Sequence, residues 1–231
     1  MSRRYGLIAM SLAIIVAAGS AAADDALDAK QLVEKAQQTL ESFAVDNSIG
    51  KPVRDLIKKA HGVFVAPEIL RGAFIVGASG GSGVLVVRDA KSGRWGGPAF
   101  YTIGEGSFGF QAGVDKSETV LLVMTERGVT AMLGSSLKLG ADTSVAAGPV
   151  GAGAEATTAN LSADILAFSR AKGLYGGLSL EGAVVKTRNG WNEAFYKKKD
   201  VSPTDIILKQ TVTNPTAKPL IDQVSKLASA K

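Results

Sequence analysis

The chain has 231 residues, and its 26 Lys and Arg residues outnumber its 21 Asp and Glu residues, for a formal charge of +5. This surplus is too small to predict a nucleic-acid partner. The sequence contains no cysteine, which excludes disulfides, thiolate metal sites and cysteine nucleophiles. Neither a cofactor nor a metal site is predicted, because the single histidine has no second histidine or cysteine with which to share a metal.

A secretory leader is predicted at residues 1–23. Two arginines precede an apolar run at residues 7–18, and small residues end at Ala23 before an acidic pair. A membrane anchor is the alternative, but a spanning helix needs about 20 apolar residues and this run is shorter. The expected location is therefore the periplasm, with possible peripheral contact to a membrane.

Two amphipathic helices are predicted near the start of the mature chain. Leu32, Leu40 and Phe43 belong to one apolar stripe of a helix at residues 26–44. A shorter helix follows Pro52 and stops at the next glycine. These helices precede a region of very different composition.

Strands are predicted in the middle of the chain, where 24 of the 27 glycines lie between Gly62 and Gly190. Turns recur every eight to twelve residues there, which favours an antiparallel sheet over βαβ units. The predicted strands are residues 63–66, 73–78, 84–88, 99–103, 108–114, 120–125, 129–133, 144–156, 160–168, 178–186 and 191–196.

These patterns predict an α+β fold. A Gly-rich antiparallel β-sheet or barrel forms the core, with N-terminal amphipathic helices and a C-terminal helix. Residues 24–209 are expected to form a single domain. Residues 210–231 are expected to form a linker and a C-terminal amphipathic helix.

Short catalytic motifs occur in the Gly-rich region but lack their required context. Ser79 lies in a G-x-S-x-G pattern, which serves as a nucleophile only on a strand-to-helix turn with a histidine and an acid nearby. The only histidine, His61, precedes this serine, and no helix is predicted after it. A serine hydrolase is the remaining enzymatic alternative, and the prediction is a non-enzymatic protein.

The second predicted helix has a basic face. Lys51, Arg54, Lys58 and Lys59 lie away from its apolar stripe, in an arrangement that could attract phosphate headgroups. The alternative is the solvated outer face of an ordinary helix. A second basic cluster at residues 197–199 is open to the same two interpretations.

Several segments together resemble a SYLF domain. The resemblance covers most of the mature chain in order, and it is carried by His61-Gly-Val-Phe-Val-Ala-Pro67, Gly72-Ala-Phe-Ile-Val-Gly77, Gly80-Gly-Ser-Gly-Val-Leu-Val-Val-Arg88, Gly93-Arg-Trp-Gly-Gly-Pro98 and Gly173-Leu-Tyr-Gly-Gly-Leu-Ser-Leu-Glu-Gly182. Glycine after Trp95 departs from the family's usual serine.

The resemblance implies a lipid-binding module. Eukaryotic SYLF proteins bind phosphoinositides through an N-terminal amphipathic helix and basic residues, and some bind actin. The expected function is therefore binding of anionic phospholipid or phosphoinositide-like headgroups, with apolar helix residues inserting. The headgroup-binding candidates are Lys51, Arg54, Lys58, Lys59 and Arg71. Actin binding is not expected after export, and a structural or protein-interaction role with an envelope partner is the alternative.

Overall fold

Helices lie at both ends of the chain and strands form most of its middle. The computed structural model describes residues 3–73, 76–108, 113–149, 162–171, 174–175, 180 and 182–230. The helices are α1 (Arg3–Val45), α2 (Gly50–Ile57), α3 (Glu126–Met132), α4 (Asn189–Tyr196), α5 (Pro203–Ile207) and α6 (Lys218–Ser229). The strands are β1 (Gly62–Ala73), β2 (Val76–Arg88), β3 (Trp95–Phe108), β4 (Gly113–Val123), β5 (Ser136–Lys138), β6 (Val145–Ala147), β7 (Ile165–Ala171), β8 (Leu174–Tyr175) and β9 (Val184–Thr187).

The strands form one sheet that curls into a half-barrel, which confirms the predicted α+β class. The strand order is β5-β9-β3-β2-β1-β4-β7-β6, and β8 pairs with β7. The pairs are antiparallel except β6 with β7. The long central strands β1 to β4 therefore form a platform with two faces, and both faces are buried around Phe64 and Val65.

The outer face of the sheet packs against helices. Cross-strand partners share a face, so Val65, Val84 and Phe100 form one row. The Phe100 ring lies 4.9 Å from the Phe195 ring of α4. Against this face α1 buries its apolar stripe, which comprises Ala29, Leu32, Val33, Ala36, Leu40, Phe43 and Ala44.

A polar contact also holds α1 to the sheet. Arg170 of β7 donates through Nε to Glu118 Oε2 of β4 at 2.8 Å and through Nη2 to Ser42 Oγ of α1 at 3.0 Å. The same guanidinium lies 5.1 Å from the centre of the Phe43 ring. One arginine thus links two strands to the helix across their buried interface.

The C-terminal helix packs on the domain. Helix α6 buries Leu220, Val224 and Leu227 and contacts both α1 and α2. Because its apolar stripe meets the two N-terminal helices, the two ends of the chain stabilise each other.

Two predicted strands are wrong. Residues 129–133 lie mainly in α3, which begins where the Thr125 hydroxyl accepts a hydrogen bond from the Gly128 amide at 3.0 Å. Residues 191–196 lie in α4, whose buried residues follow a helical spacing. A short apolar run fits either structure, and tertiary packing decides between them.

The strand predicted at 63–66 is part of the longer β1, whereas the strand predicted at 73–78 spans the end of β1 and the start of β2. The expected turn between residues 63–66 and 73–78 is a bulge within β1, where the register shifts between Val65 and Glu68. Parts of two other predicted strands lie outside the described residues. These parts are residues 109–112 of the strand predicted at 108–114 and residues 150–156 of the strand predicted at 144–156.

A buried carboxylate joins α3 to the edge of the sheet. Asp164 is 2% exposed and accepts hydrogen bonds from Thr125 Oγ1 at 2.6 Å, Ser144 Oγ at 2.8 Å and Thr143 Oγ1 at 3.1 Å. Arg127 completes the site as an ion pair. The hydrogen bonds from Arg127, Thr125 and Ser144 hold the pKa of Asp164 well below its usual range.

A glycine on the inner face allows two strands to pack closely. A Cβ atom at Gly83 of β2 would lie 2.3 Å from Cζ of Phe64 on β1. Phe64 is fully buried, and its ring contacts that of Tyr101 edge to face at 6.2 Å. The ring therefore occupies the space that a side chain at position 83 would need.

We expect Gly83→Ala to lower the free energy of unfolding by about 1–3 kcal/mol, because the added methyl overpacks the core. Gly106→Ala is the matched control, since no heavy atom lies within 4 Å of a Cβ there. Urea denaturation measures both variants. Equal effects of the two substitutions would contradict this account of the Phe64 packing.

We expect Asp164→Asn to lower the free energy of unfolding by about 1–3 kcal/mol at neutral pH, because charged hydrogen bonds are lost. The folded-state pKa is depressed, so the carboxylate stabilises the fold above its unfolded pKa of about 3.9 and loses this effect as pH falls further. The difference between wild type and variant should therefore narrow below about pH 4 in urea denaturation. Asp222→Asn, at an exposed carboxylate, is the control, and a pH-independent difference at Asp164 would contradict the assignment.

Candidate functional site

The basic residues of α2 are distributed along it: Lys51 lies in its first turn, and Lys58 and Lys59 follow its last residue, Ile57. Helix α2 buries Val53, Leu56 and Ile57, as its apolar stripe predicts. This packing turns Lys51 outward, with 83% of its side chain exposed. Lys59, just after the helix, is also exposed. We call the surface formed by Lys51, Lys58 and Lys59 the α2 end.

One carboxylate lies among the lysines of the α2 end. Asp55 Oδ2 is 2.9 Å from Lys51 Nζ, and Asp55 Oδ1 is 3.2 Å from Lys58 Nζ. These two hydrogen bonds lower the pKa of Asp55. Within the described residues no carboxylate is within ion-pairing distance of Lys59. Exposed pairs of this kind are weak, so both bridging lysines can exchange Asp55 for another anion.

Arg54 makes a different contact from the neighbouring lysines. Its guanidinium donates to the Ala44 carbonyl in the last turn of α1. A Cβ at Gly50 would lie only 2.7 Å from that carbonyl oxygen, so glycine permits this close approach. Arg54 therefore links α2 to the C-terminal end of α1, and the structure places it apart from the exposed lysines.

Arg71 lies elsewhere in the molecule. It is on β1, nine residues beyond Gly62, which corresponds to about 30 Å of extended strand. Its Nη2 atom is 3.8 Å from Glu105 Oε2, and its cross-strand partners are Ser79 and Asp115. The structure thus brings Lys51, Lys58 and Lys59 together but leaves Arg71 in a mixed-charge row on the sheet.

The apolar stripe of α1 is not available at the surface. Phe43 and Leu40 have no exposed area, and Leu32 is 8% exposed. Insertion of these side chains into a bilayer would require α1 to leave the sheet. At the end of α1, in contrast, Val45 is 72% exposed and lies beside the start of α2.

The serine and histidine of the hydrolase alternative are far apart. Ser79 pairs with Arg71 near one end of β1, whereas His61 adjoins the other end, where Gly62 pairs with Val87. The separation along the strands is roughly 25 Å. Ser79 also lies within a strand and not on a turn, so these two residues cannot form a catalytic pair.

Metal-binding and membrane-spanning features were sought in the described part of the chain. It contains no group of three or more His, Asp or Glu side chains placed to hold a metal ion. Likewise, no helix among the described residues has both the length and the apolar character needed to cross a bilayer.

Comparison with known proteins identifies relatives across most of the chain. The family model described as Ysc84, Las17-binding protein actin regulator, matches residues 104–227. SH3 domain-containing YSC84-like protein 1 of Xenopus laevis is 32% identical over 194 residues, covering 81% of this chain and 57% of the relative. The Homo sapiens protein of that name is 32% identical over 188 residues, covering 79% and 54%.

A fungal relative extends the comparison. LAS seventeen-binding protein 3 of Saccharomyces cerevisiae (strain ATCC 204508 / S288c) is 31% identical over 196 residues, covering 81% of this chain and 42% of the relative. The chain thus spans about half the length of the curated relatives that it matches. Their names describe binding proteins and not enzymes. With more than half of its residues matched by the family model, the chain belongs to the Ysc84 (SYLF domain) family.

Proposed function

We propose that this protein is a non-enzymatic module that binds anionic phospholipid headgroups at a membrane surface in the cell envelope. The observation that supports this most directly is the α2 end, where Lys51 and Lys59 are exposed and Lys51 and Lys58 flank one carboxylate, Asp55. The distance between Ser79 and His61 supports the non-enzymatic part of the proposal.

The charge of the α2 end favours binding to an anionic surface. Each basic residue near an anionic surface contributes about 1 kcal/mol, and Asp55 offsets about one such contribution. The three lysines thus supply about 2 kcal/mol net, a factor of roughly 30 in Kd. Because these charges are exposed, binding should weaken as salt shortens the Debye length.

The mode of binding is peripheral. The apolar stripes of α1 and α2 are buried in the domain, so neither helix can insert without unfolding its packing. Val45 is the exposed apolar side chain next to Lys51, and its contact with the lipid interface would add up to about 1.5 kcal/mol. The α2 end thus combines charge with one small apolar contact.

The envelope setting rests on the leader predicted at residues 1–23. Cleavage there would deliver a chain that begins just before the buried residues of α1, the first of which is Ala29. An exported protein would meet envelope phospholipids instead of cytosolic phosphoinositides or actin.

A protein-binding role is the second candidate, favoured by the name of the fungal relative. The structure offers a groove of about 320 Å³ between α1 and the β1–β2 hairpin, lined in part by Leu32, Leu70 and Trp191. Leu70 is 43% exposed there. Recovery of one stoichiometric partner from crosslinked cells, with no affinity for vesicles, would select this function over lipid binding.

We expect the combined variant Lys51→Glu, Lys58→Glu and Lys59→Glu to lose at least tenfold in affinity for phosphatidylglycerol vesicles at about 0.1 M salt. The physical reason is the replacement of attraction by repulsion at the α2 end. Co-sedimentation with vesicles measures the loss, and phosphatidylcholine vesicles report any binding that does not depend on lipid charge.

The matched control carries the same charge change at the exposed residues Lys116, Lys138 and Lys186; Lys116 pairs with Leu70, eight residues along β1 from Gly62. This control should bind as the wild type does. If the α2 variant also binds like the wild type, the site assignment is wrong. If both variants lose affinity equally, net charge and not a site governs the binding.

We expect Arg54→Ala to lower the free energy of unfolding by about 1.5–3 kcal/mol, because it removes a charged hydrogen bond to the Ala44 carbonyl. Lys59→Ala, at an exposed position, should change it by no more than about 0.5 kcal/mol. Urea denaturation compares the two. Equal stabilities would show that Arg54 does not hold α2 to α1.

A further inference from the structure

A second exposed basic cluster follows α4. Lys197, Lys198 and Lys199 form a turn, called here the lysine turn, and all three are exposed. They border a groove of about 580 Å³ whose other walls include Ala26 of α1 and Ala194 of α4. The groove thus combines a basic rim with small apolar walls.

The carboxylates beside the lysine turn are already engaged in the fold. Asp25 Oδ1 accepts a hydrogen bond from Trp191 Nε1 at 2.9 Å, and Glu193 Oε1 accepts one from the Asp200 amide at 3.1 Å. Among the described residues no carboxylate lies within ion-pairing distance of the ammonium groups of the lysine turn. Asp25 and Glu193 keep their negative charge and also line the groove, so its lining carries three positive and two negative charges, a net charge of +1.

The backbone of the lysine turn is held in a defined conformation. Lys197 and Asp200 have φ values of 53° and 56°, in the left-handed region that residues with a side chain seldom adopt. The adjoining Tyr196 is buried, and its hydroxyl donates to the Pro98 carbonyl at 2.8 Å. A site with a fixed backbone presents its charges to a ligand without a large ordering cost.

The lysine turn and the α2 end lie at opposite ends of residues 24–45, the part of α1 that remains after the predicted cleavage and is called here mature α1. Asp25 and the lysine turn share the groove wall, whereas Val45 ends α1 beside α2. The 20 residues from Asp25 to Val45 span about 30 Å of helix. Cleavage after Ala23 would leave Asp25, Ala26 and α4 in place.

The exposed flank of α1 between these ends is acidic. Its exposed charged residues are Asp24, Asp28, Glu34 and Glu41, against Lys30 and Lys35. An anionic membrane would repel this flank, so α1 should not lie flat with both basic ends on one surface. The charge pattern favours contact of each end with a separate surface.

We propose that the groove at the lysine turn binds the phosphate headgroup of a second anionic phospholipid, and that the protein bridges two anionic membrane surfaces, one at each end of mature α1. This inference rests on the proposed function of the α2 end. The lysine turn is the weaker site, because Asp25 and Glu193 offset two of its three positive charges.

The test mixes two populations of phosphatidylglycerol vesicles, each with one dye of an energy-transfer pair, with the mature chain, residues 24–231. Energy transfer reports clustering, and co-sedimentation reports binding. The wild type should cluster the vesicles, and phosphatidylcholine vesicles should not cluster. Lys198→Glu with Lys199→Glu, which leaves the left-handed Lys197 unchanged, should bind within about twofold of wild type but lose clustering.

Two further variants separate the two proposals. Lys138→Glu with Lys186→Glu carries the same charge change and should still cluster vesicles. In the variant that carries Lys51→Glu, Lys58→Glu and Lys59→Glu, the residual vesicle binding should disappear when Lys198→Glu and Lys199→Glu are added. If the variant with Lys198→Glu and Lys199→Glu still clusters vesicles, or if the wild type binds vesicles without clustering them, the bridging proposal is overturned. Lipid binding by the α2 end then stands. Absence of binding by the wild type overturns both proposals.

Discussion

The burial of α1 against the outer face of the sheet is the contact on which the rest of the structure depends. Its stripe from Ala29 to Ala44 covers the central strands, and Arg170 ties it to β4 and β7 through Glu118 and Ser42. Helices α2, α4 and α6 each pack on α1. A single helix therefore sets the positions of both basic clusters.

This constraint has a direct consequence for function. A helix that stabilises the domain with its apolar face cannot also use that face to enter a bilayer. What remains at the surface beside α1 is charge, together with two exposed apolar side chains of the helix, Leu27 and Val45. Contact with membranes through lysines, without insertion of a helix, is the mechanism that agrees with the packing.

Glycine has a structural purpose in the sheet that differs from catalysis or phosphate binding. At Gly83 and Gly148 the rings of Phe64 and Phe168 occupy the position of a side chain, with ring atoms 2.3 Å from an ideal Cβ. These close approaches help two layers of large side chains to fit on the curled sheet. The G-x-S-x-G pattern around Ser79 lies within β2, where a side chain at Gly81 would clash with the backbone of Glu68 on β1.

The sequence by itself determined the α+β class, the apolar stripes of α1 and α2 and the outward direction of Lys51 and Lys59, because periodicity and glycine content are local properties. It also carried the family resemblance. Tertiary structure alone decided that residues 129–133 and 191–196 are helical, since short apolar runs fit either form until a cap or a packing partner selects one. It likewise decided that Arg54 supports α1 and that Arg71 lies far from α2. The position of the lysine turn, at the end of mature α1 opposite to α2, was also decided by the tertiary structure. Each of these relations joins residues that are distant in sequence.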